Sequence, residues 1–383
     1  MKILENWLLT ERVCVILGTR PGIVKMSPVI RALKKERVDF FVIHSGQHYS
    51  YSMDKQFFED LKLPSPQYHL NTVRRYHSHG GQTAEMLKGI EKILIRERPR
   101  IVLVGGDANT NLSGALAARK LRLIVGHLEA GLRSLDWRMP EEHNRVMIDH
   151  ISELLFAPTE KARKNLLNES VRGQIWVVGN TIVDAVKQNL RIALESRSLA
   201  DWNVSKDSYY LLTMHREENL DDHRNLNEFI NLLGNLDDVS SFPILFPMHP
   251  RTRETFVHNR LMTKLLQMKN LRILNPLGYL DFLVLLSGCK LVLTDSGGVQ
   301  EEACILHVPC LTLRENTERP ETVEVGANLV VGLDPKKVIP AFRRCEDLKR
   351  EWTNPFGNGT AGVKVSRILR GVLDGTVVTP LIR

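Results

Sequence analysis

Residues 294–302, with the sequence TDSGGVQEE, follow an apolar run at 291–293 and lead into a helix-compatible stretch. Such a turn between a strand and a helix is suited to anions. Glycine lets the backbone approach a ligand, and free N–H groups at a helix N-terminus attract phosphate oxygens. Ser296, Gly297 and Gly298 are therefore candidate phosphate-binding residues, although a Gly-Gly turn alone would more often serve packing.

Two acidic and two basic residues extend this candidate site. Glu301 and Glu302 lie one helical turn beyond the glycines, where a carboxylate can accept hydrogen bonds from ribose hydroxyls. Arg314 and Arg319 follow the next predicted strand, at 308–313, and would return positive charge to the same edge of the sheet. A phosphate cradle, a ribose acceptor and an arginine pair together predict a nucleoside diphosphate site.

Carboxylates of the first half of the chain form a second candidate set. Asp107 and Glu129 follow predicted strands, and Glu141-Glu142 opens a helix-like stretch. Acids near a bound diphosphate repel it unless they have a separate task, which is usually proton transfer. Singly, Asp107 is equally well explained as a helix N-cap, and Glu141-Glu142 as a pair that complements a helix dipole. Together, with Glu129 in an unusual EAGLR turn, they favour catalysis.

The elements that position these residues alternate between short apolar runs and longer helix-periodic stretches. Predicted strands of the first half are 13–17, 40–44, 101–104, 123–128, 154–156 and 175–178, and those of the second half are 209–213, 244–247, 271–274, 291–294, 309–313 and 329–331. This pattern predicts an α/β protein with two doubly wound, Rossmann-like domains facing across a central cleft. Because no GxGxxG turn is present, a tightly held dinucleotide is not indicated.

We expect an N-terminal domain over residues 1–180, with the catalytic carboxylates, and a C-terminal domain over 181–361, with the nucleotide site. A helix within 362–383 is expected to pack back on the N-terminal domain. The polar stretch 196–208 is the expected linker, with a hinge near residue 179 as the alternative.

Composition excludes several classes of protein. The 383 residues are 43% hydrophobic and 25% charged, as in ordinary globular proteins. Without a run of about 18 apolar residues or an uninterrupted signal-like core, the chain is expected in the cytoplasm, away from membranes. Its five cysteines form no CxxC pair, so we expect reduced thiols, no metal site and no cofactor. The net charge of +8 is scattered, which favours an anionic small ligand over nucleic acid.

The chain resembles the non-hydrolysing UDP-N-acetylglucosamine 2-epimerases over nearly its full length. The matching segments include GTRP at 18–21, GQH at 46–48, GD at 106–107, HLEAGLR at 127–133, PEE at 140–142, HR at 215–216, DSGGVQEE at 295–302 and TERPE at 317–321. The resemblance implies a glycosyltransferase-B-like fold and a homodimeric isomerase that needs no cofactor. It further implies reversible conversion of UDP-N-acetylglucosamine (UDP-GlcNAc) to UDP-N-acetylmannosamine (UDP-ManNAc) by elimination of UDP to 2-acetamidoglucal and re-addition.

The resemblance also assigns roles to residues. The implied catalytic residues are Asp107, Glu129, Glu141 and His215. The implied substrate-binding residues are Arg20, Lys25, Arg145, Phe282, Ser296, Gly297, Gly298, Glu302 and Arg319. Phe282 matches a position beside uracil, and a helix residue facing the core is the alternative. Positions that bind a second, activating UDP-GlcNAc in some members correspond to Gln47, His48, Arg216 and His249, with Arg74 or Arg75 as the expected first-domain arginine.

Three other functions remain open on the residues alone. A UDP-sugar glycosyltransferase would share the fold and the nucleotide site, but it would not need three proton-handling carboxylates. A hydrolysing relative would release free N-acetylmannosamine (ManNAc) and UDP. A nucleotide-sensing or nucleic-acid-binding protein would show salt-dependent binding to DNA and no turnover of any UDP-sugar.

Overall fold

Short apolar runs form two parallel β-sheets in the structure, which is a computed structural model. The described residues are 8–47, 51–70, 78–220 and 222–378. The strands inside each sheet are buried along most of their length, as expected for parallel sheets that are covered by helices on both faces, whereas the edge strands are only partly buried.

The chain forms two compact units. One contains Met1–Ala185 and Phe356–Arg383, and the other contains Val186–Pro355. The stretch 196–208, where a linker was predicted, lies inside the second unit. The chain instead enters that unit within the helix Thr181–Leu194.

The first unit is built on a seven-stranded parallel sheet. Its strands are β1 (Thr10–Leu17), β2 (Phe40–His44), β3 (Tyr68–His69), β4 (Pro99–Gly105), β5 (Ile124–Leu128), β6 (Leu154–Ala157) and β7 (Gln174–Val177), in the spatial order β3-β2-β1-β4-β5-β6-β7. The helices between them are α1 (Arg20–Lys35), α2 (Tyr51–Asp60), α3 (His79–Glu97), α4 (Asn109–Lys120), α5 (Pro140–Ile151) and α6 (Glu160–Asn168), and α7 (Thr181–Leu194) follows β7.

The second unit repeats this plan with a six-stranded parallel sheet. Its strands are β8 (Tyr210–Thr213), β9 (Ile244–Pro247), β10 (Leu271–Leu274), β11 (Leu291–Thr294), β12 (Cys310–Thr312) and β13 (Asn328–Val330), in the order β10-β9-β8-β11-β12-β13. The helices are α8 (Glu217–Leu220), α9 (His223–Val239), α10 (Pro250–His258), α11 (Met262–Leu266), α12 (Tyr279–Gly288), α13 (Gly297–Ile305), α14 (Pro320–Glu324) and α15 (Pro335–Glu346).

Both sheets reverse their strand order beside their first strand. In the first sheet β1 lies between β2 and β4, and in the second β8 lies between β9 and β11. Ligands of open α/β sheets bind outside the carboxyl ends of the strands at such a switch point. The loops after β1 and β4, and those after β8 and β11, are therefore the places to look for function.

The last helix, α16 (Ala361–Leu373), packs against α1 of the first unit. The carboxylate of Asp184 accepts hydrogen bonds from the N–H groups of Ala361, at 3.2 Å, and Gly362, at 3.1 Å, and so caps this helix. A Cβ atom at Gly362 would lie 2.8 Å from the carbonyl carbon of Pro28, so the close approach of the two helices requires glycine.

The predicted α/β class with two doubly wound domains is confirmed, and all twelve predicted strands are present. The additional strand β3 has only two residues, which is too short to produce a periodic signal. The five cysteines are buried free thiols, and burial raises the pKa of Cys345 to about 11. Among the described residues no helix is both long and apolar enough to cross a bilayer.

Candidate active site

Asp107 lies in the loop after β4 and is held by an arginine of α5. Its Oδ2 accepts a hydrogen bond from Nη2 of Arg145 at 2.6 Å. Burial by itself would raise the pKa of Asp107, but the charges of Arg145 and Lys25 outweigh burial and lower that pKa. Asp107 is therefore an ionised carboxylate at neutral pH, in the form that accepts a proton.

Glu129 occupies the turn after β5 with a left-handed backbone conformation, φ +66°. Nζ of Lys25 donates to its Oε2 at 2.8 Å. The other oxygen, Oε1, is buried and has no hydrogen-bond partner among the described residues. A Cβ atom at Gly106 would lie 3.2 Å from Oε2, so Glu129 lies against the loop that carries Asp107. Glu129 thus has one oxygen bound to a cation and one available to a reacting group.

Glu141 and Glu142 differ sharply in environment, although they are neighbours in the first turn of α5. Glu141 is half-buried, and its side chain makes no hydrogen bond or ion pair within the described ranges. Glu142 is buried and accepts a hydrogen bond from Nη1 of Arg145 at 2.7 Å. Arg145 therefore connects Glu142 to Asp107.

A buried ion network holds the backbone of this region. Nδ1 of His127 lies 2.7 Å from Oδ1 of Asp149, and Nε2 lies 3.1 Å from the carbonyl oxygen of Gly106. The second oxygen of Asp149 accepts from the N–H of Gly131 at 3.0 Å and lies 2.8 Å from Arg133 Nη1. The network links the loop that carries Asp107 to the turn that carries Glu129.

The remaining predicted residues of the first unit lie near β1 and β2. Arg20 begins α1, and its guanidinium group lies 5.5 Å from the ring centre of Phe57. Gln47 uses its side-chain oxygen to accept hydrogen bonds from the N–H of Thr110, at 3.2 Å, and from its hydroxyl, at 2.6 Å. His48, Arg74 and Arg75 lie outside the described residues.

In the second unit, Asp295 orients His215 at the switch point. Asp295 directly follows β11, is fully buried, and accepts hydrogen bonds from the N–H groups of His215 and Arg216, each at 2.9 Å. Nδ1 of His215 lies 3.2 Å from Oδ1 of Asp295. Although burial opposes it, the contacts with His215 lower the pKa of Asp295. An ionised Asp295 therefore favours the proton of His215 on Nδ1 and leaves Nε2 for a ligand.

The predicted phosphate turn begins α13. Ser296 is the N-cap residue and Gly297 and Gly298 form the first turn. The carboxylate of Glu318 lies against this turn: its Oε2 is 3.5 Å from the position of a Cβ atom at Gly297, and its Oε1 is 3.5 Å from both Arg216 Nη2 and Arg314 Nη1. An acidic side chain thus lies beside the expected anion site, between two arginines.

Glu301 and Glu302 follow on α13 and are both buried. Oε1 of Glu301 lies 2.9 Å from Nε of Arg319. Burial is the main reason that the pKa of Glu302 is raised to about 8; a hydrogen bond with Tyr279 opposes this rise and the negative charge of Glu301 adds to it. Glu302 is therefore protonated at neutral pH, so its carboxyl group can donate one hydrogen bond and accept others.

Phe282 and His249 complete the predicted set. Phe282 lies on α12 and is partly buried against the hydrophobic cluster that contains Tyr209 and Leu285. His249 caps α10 by accepting a hydrogen bond from the N–H of Arg251 at 3.3 Å, and its ring centre lies 6.3 Å from that of His215. Burial, and then the charges of His215 and Arg251, lower the pKa of His249.

Three carboxylates with evident structural roles were not given a site role from the sequence: Asp149, Asp295 and Glu318. The sequence contained a spacing signal for Glu318, which follows its partner Arg314 by four residues. The partners of Asp149 and Asp295 are distant in sequence. In the described ranges no group of His, Cys, Asp and Glu side chains is arranged to hold a metal ion.

The structure thus has two doubly wound units, one with a cluster of carboxylates after its strands and the other with a helix N-terminus of the kind that binds phosphate. The sequence profile described as UDP-N-acetylglucosamine 2-epimerase matches residues 31–370. A relative from Methanocaldococcus jannaschii, named UDP-N-acetylglucosamine 2-epimerase, is 52% identical over 362 residues, covering 94% of this chain and 98% of the relative. The chain belongs to the UDP-N-acetylglucosamine 2-epimerase family, whose members are isomerases.

Two further comparisons bear on the site. The crystal structure of the M. jannaschii enzyme in complex with UDP-GlcNAc and UDP has a TM-score of 0.83, with 94% of this chain and 99% of that chain covered at 52% identity. A Pseudomonas aeruginosa relative, UDP-2,3-diacetamido-2,3-dideoxy-D-glucuronate 2-epimerase, is 39% identical, with 87% of this chain and 91% of the relative covered. Relatives of this chain are thus named as 2-epimerases of different UDP-sugars.

Proposed function

We propose that this protein is a non-hydrolysing epimerase that interconverts UDP-GlcNAc and UDP-ManNAc. The observation that carries the proposal is the pair Asp107 and Glu129, two acids on neighbouring loops that bind different cations, Arg145 and Lys25. The 52% identical relative crystallised with UDP-GlcNAc and UDP supports the choice of substrate. We further propose a cytoplasmic homodimer, as the family resemblance implies.

The chemistry explains why several acids are needed. The proton on sugar C2 is not adjacent to a carbonyl, so its direct removal would leave an unstabilised carbanion. In the proposed reaction the C2–H and C1–O bonds break, UDP leaves, and a C1=C2 double bond forms in 2-acetamidoglucal. UDP then adds back to C1 as a proton is delivered to the opposite face of C2. Groups on both faces of the sugar are therefore required.

In this proposal Asp107, Glu129 and Glu141 handle the protons, and no division of roles among them is made. Asp107 contributes an ionised carboxylate, and Glu129 contributes a buried oxygen without a partner among the described residues. Lys25 and Arg145 hold these acids in place, and Arg20 supports the diphosphate. Positive charge near the departing diphosphate stabilises the transition state.

The second unit is proposed to bind the nucleotide. Its His215, oriented by Asp295, would neutralise the departing diphosphate through Nε2. The first turn of α13, with Ser296, Gly297 and Gly298, would hold phosphate oxygens through backbone N–H groups. The proposed contacts of the nucleoside are Glu302 with the ribose, Arg319 beside it and Phe282 with the uracil.

Proton NMR of the enzyme with UDP-GlcNAc in D2O, with no added cofactor, tests this proposal. We expect UDP-ManNAc to accumulate and both UDP-sugars to carry deuterium at C2. Free ManNAc would instead identify a hydrolysing enzyme, and release of UDP only with an added acceptor would identify a glycosyltransferase. The same assay is run with UDP-2,3-diacetamido-2,3-dideoxy-D-glucuronate, the sugar nucleotide named for the P. aeruginosa relative. Faster turnover of that compound than of UDP-GlcNAc would show that it is the substrate.

A further inference from the structure

Glu142 is a buried carboxylate with four hydrogen-bond partners beside Asp107, and nothing in the proposed reaction uses it. It is 2% exposed and accepts hydrogen bonds from the N–H of Ser134 at 2.9 Å, the hydroxyl of Ser134 at 3.0 Å and the N–H of Leu135 at 3.1 Å. Arg145 Nη1 donates a fourth bond at 2.7 Å. Because all four partners are donors, the site requires an ionised carboxylate.

Arg145 divides its guanidinium group between two acids. Nη1 donates to Glu142 and Nη2 donates to Oδ2 of Asp107. Arginine frequently forms two parallel hydrogen bonds to a single carboxylate. Glu142 therefore keeps Arg145 in a one-point contact with Asp107, and the second oxygen of Asp107 stays free of this arginine.

The loop between β5 and α5 depends on the same carboxylate. Leu135 has a left-handed conformation, φ +60°, which is unusual for a branched residue, and Glu142 binds its N–H. The loop side chains are not themselves buried: Leu135 is 87% exposed and Trp137 is 67% exposed. Glu142 thus holds both an exposed loop and the arginine that contacts Asp107.

We propose that Glu142 is a positioning residue that holds Arg145 so that Asp107 keeps one oxygen available for proton transfer. This inference rests on the proposed epimerase function. The charged groups facing Asp107 are Arg145 from α5 and Lys25 from α1, and Glu129 shares Lys25. Without the competing charge of Glu142, Arg145 would bind Asp107 more fully and make it less basic.

The test compares Glu142→Gln with wild-type enzyme in steady-state kinetics across pH. The NH2 group of the glutamine amide donates hydrogen bonds and cannot accept them from the four donors that surround Glu142. The variant therefore loses its hydrogen bonds either to Arg145 or to Ser134 and Leu135 of the loop. We expect kcat to fall by about 10- to 100-fold while KM changes by less than about 3-fold. Because Asp107 becomes a stronger acid, the acid limb of kcat/KM should move to lower pH. Unchanged kcat, or a loss with the acid limb unmoved, would overturn the proposal.

Two further variants complete the design. Glu142→Asp keeps the charge but retracts it from Arg145, so we expect a smaller loss of kcat with an acid-limb shift in the same direction. If Glu142→Gln does not fold, Glu142→Asp is measured in its place. The inference would be refuted if the kinetics of Glu142→Asp were those of the wild-type enzyme. The control is Glu160→Gln on α6. Glu160 forms an ion pair with Arg163, three residues later, as Glu142 does with Arg145, but the pair on α6 is exposed. This control should leave the kinetics unchanged.

The design separates failure of the inference from failure of the proposed function. If wild-type enzyme gives no UDP-ManNAc, the function is wrong. If wild-type enzyme turns over and the Glu142 variants keep its kcat and pH profile, only the role of Glu142 is wrong.

Discussion

Glu302 should make the protein less stable as pH rises from mildly acidic to mildly basic. Its pKa is about 8 in the folded protein, mainly because of burial, against an ordinary value of 4.5. Between these two pH values the folded state holds a proton that the unfolded state has lost. The stability that this proton provides is full below pH 4.5 and is lost progressively as pH rises to about 8.

The size of the effect follows from those two values. At about 1.4 kcal/mol per pH unit, the interval from 4.5 to about 8 corresponds to at most about 5 kcal/mol. Between pH 5.5 and pH 8.5 the loss should be about 3 kcal/mol. This is a large fraction of the 5–15 kcal/mol by which domains are typically stable.

The perturbation is Glu302→Gln, which removes the titration but nearly preserves the shape. Urea unfolding of variant and wild type at pH 5.5, 7 and 8.5 measures the difference in unfolding free energy. The unfolding free energy of the variant minus that of the wild type should increase by about 3 kcal/mol from the lowest to the highest pH. The control Glu324→Gln, at an exposed position of α14, should show no such growth. A difference between Glu302→Gln and wild type that is constant with pH would refute the reasoning.

Three other predictions concern catalysis, binding and packing. Asp107→Asn or Glu129→Gln should lower kcat by about 1,000-fold while UDP affinity, measured by calorimetry, stays within about 2-fold; full activity in either variant would remove that acid from the mechanism. Glu318→Gln should tighten UDP binding by about 5-fold, because a negative charge beside the anion site is lost; weaker binding would mean that Glu318 serves to hold the arginines. Gly362→Ala should destabilise the first unit by about 1–3 kcal/mol in urea unfolding, because its Cβ would clash with the backbone of Pro28; an unchanged midpoint would show that α16 shifts without cost.

Much of the fold could be predicted from sequence because buried parallel strands are continuous apolar runs. The strands Phe40–His44 and Ile244–Pro247 coincide with their predicted ranges. Strand β3, with two residues, gave no pattern, because it depends on pairing with β2. The polar stretch 196–208 has the composition of a linker, yet it belongs to the second unit. A polar composition indicates exposure to solvent. It therefore does not distinguish a linker between domains from a surface segment within one domain.

The places of the candidate residues in the fold could be predicted from the sequence, but their surroundings could not. The sequence placed Glu301 and Glu302 together as ribose acceptors, whereas in the structure the first contacts Arg319 and the second is buried and protonated. Successive residues on a helix point in directions about 100° apart, so neighbours in sequence have different surroundings. For the same reason Glu141 is half-buried and makes no hydrogen bond among the described residues, whereas its neighbour Glu142 is buried and binds Arg145.

The central claim is that UDP leaves the sugar during epimerisation, and an isotope experiment tests it most directly. UDP-GlcNAc labelled with ¹⁸O in the bond between the sugar and the β-phosphate is incubated with the enzyme, and the label is located by ³¹P NMR. If the C1–O bond breaks, the β-phosphate of the released UDP can rotate before UDP adds back. The label should then spread from the bridging position to the non-bridging positions of that phosphate. Conversion to UDP-ManNAc with the label kept entirely in the bridge would contradict the account.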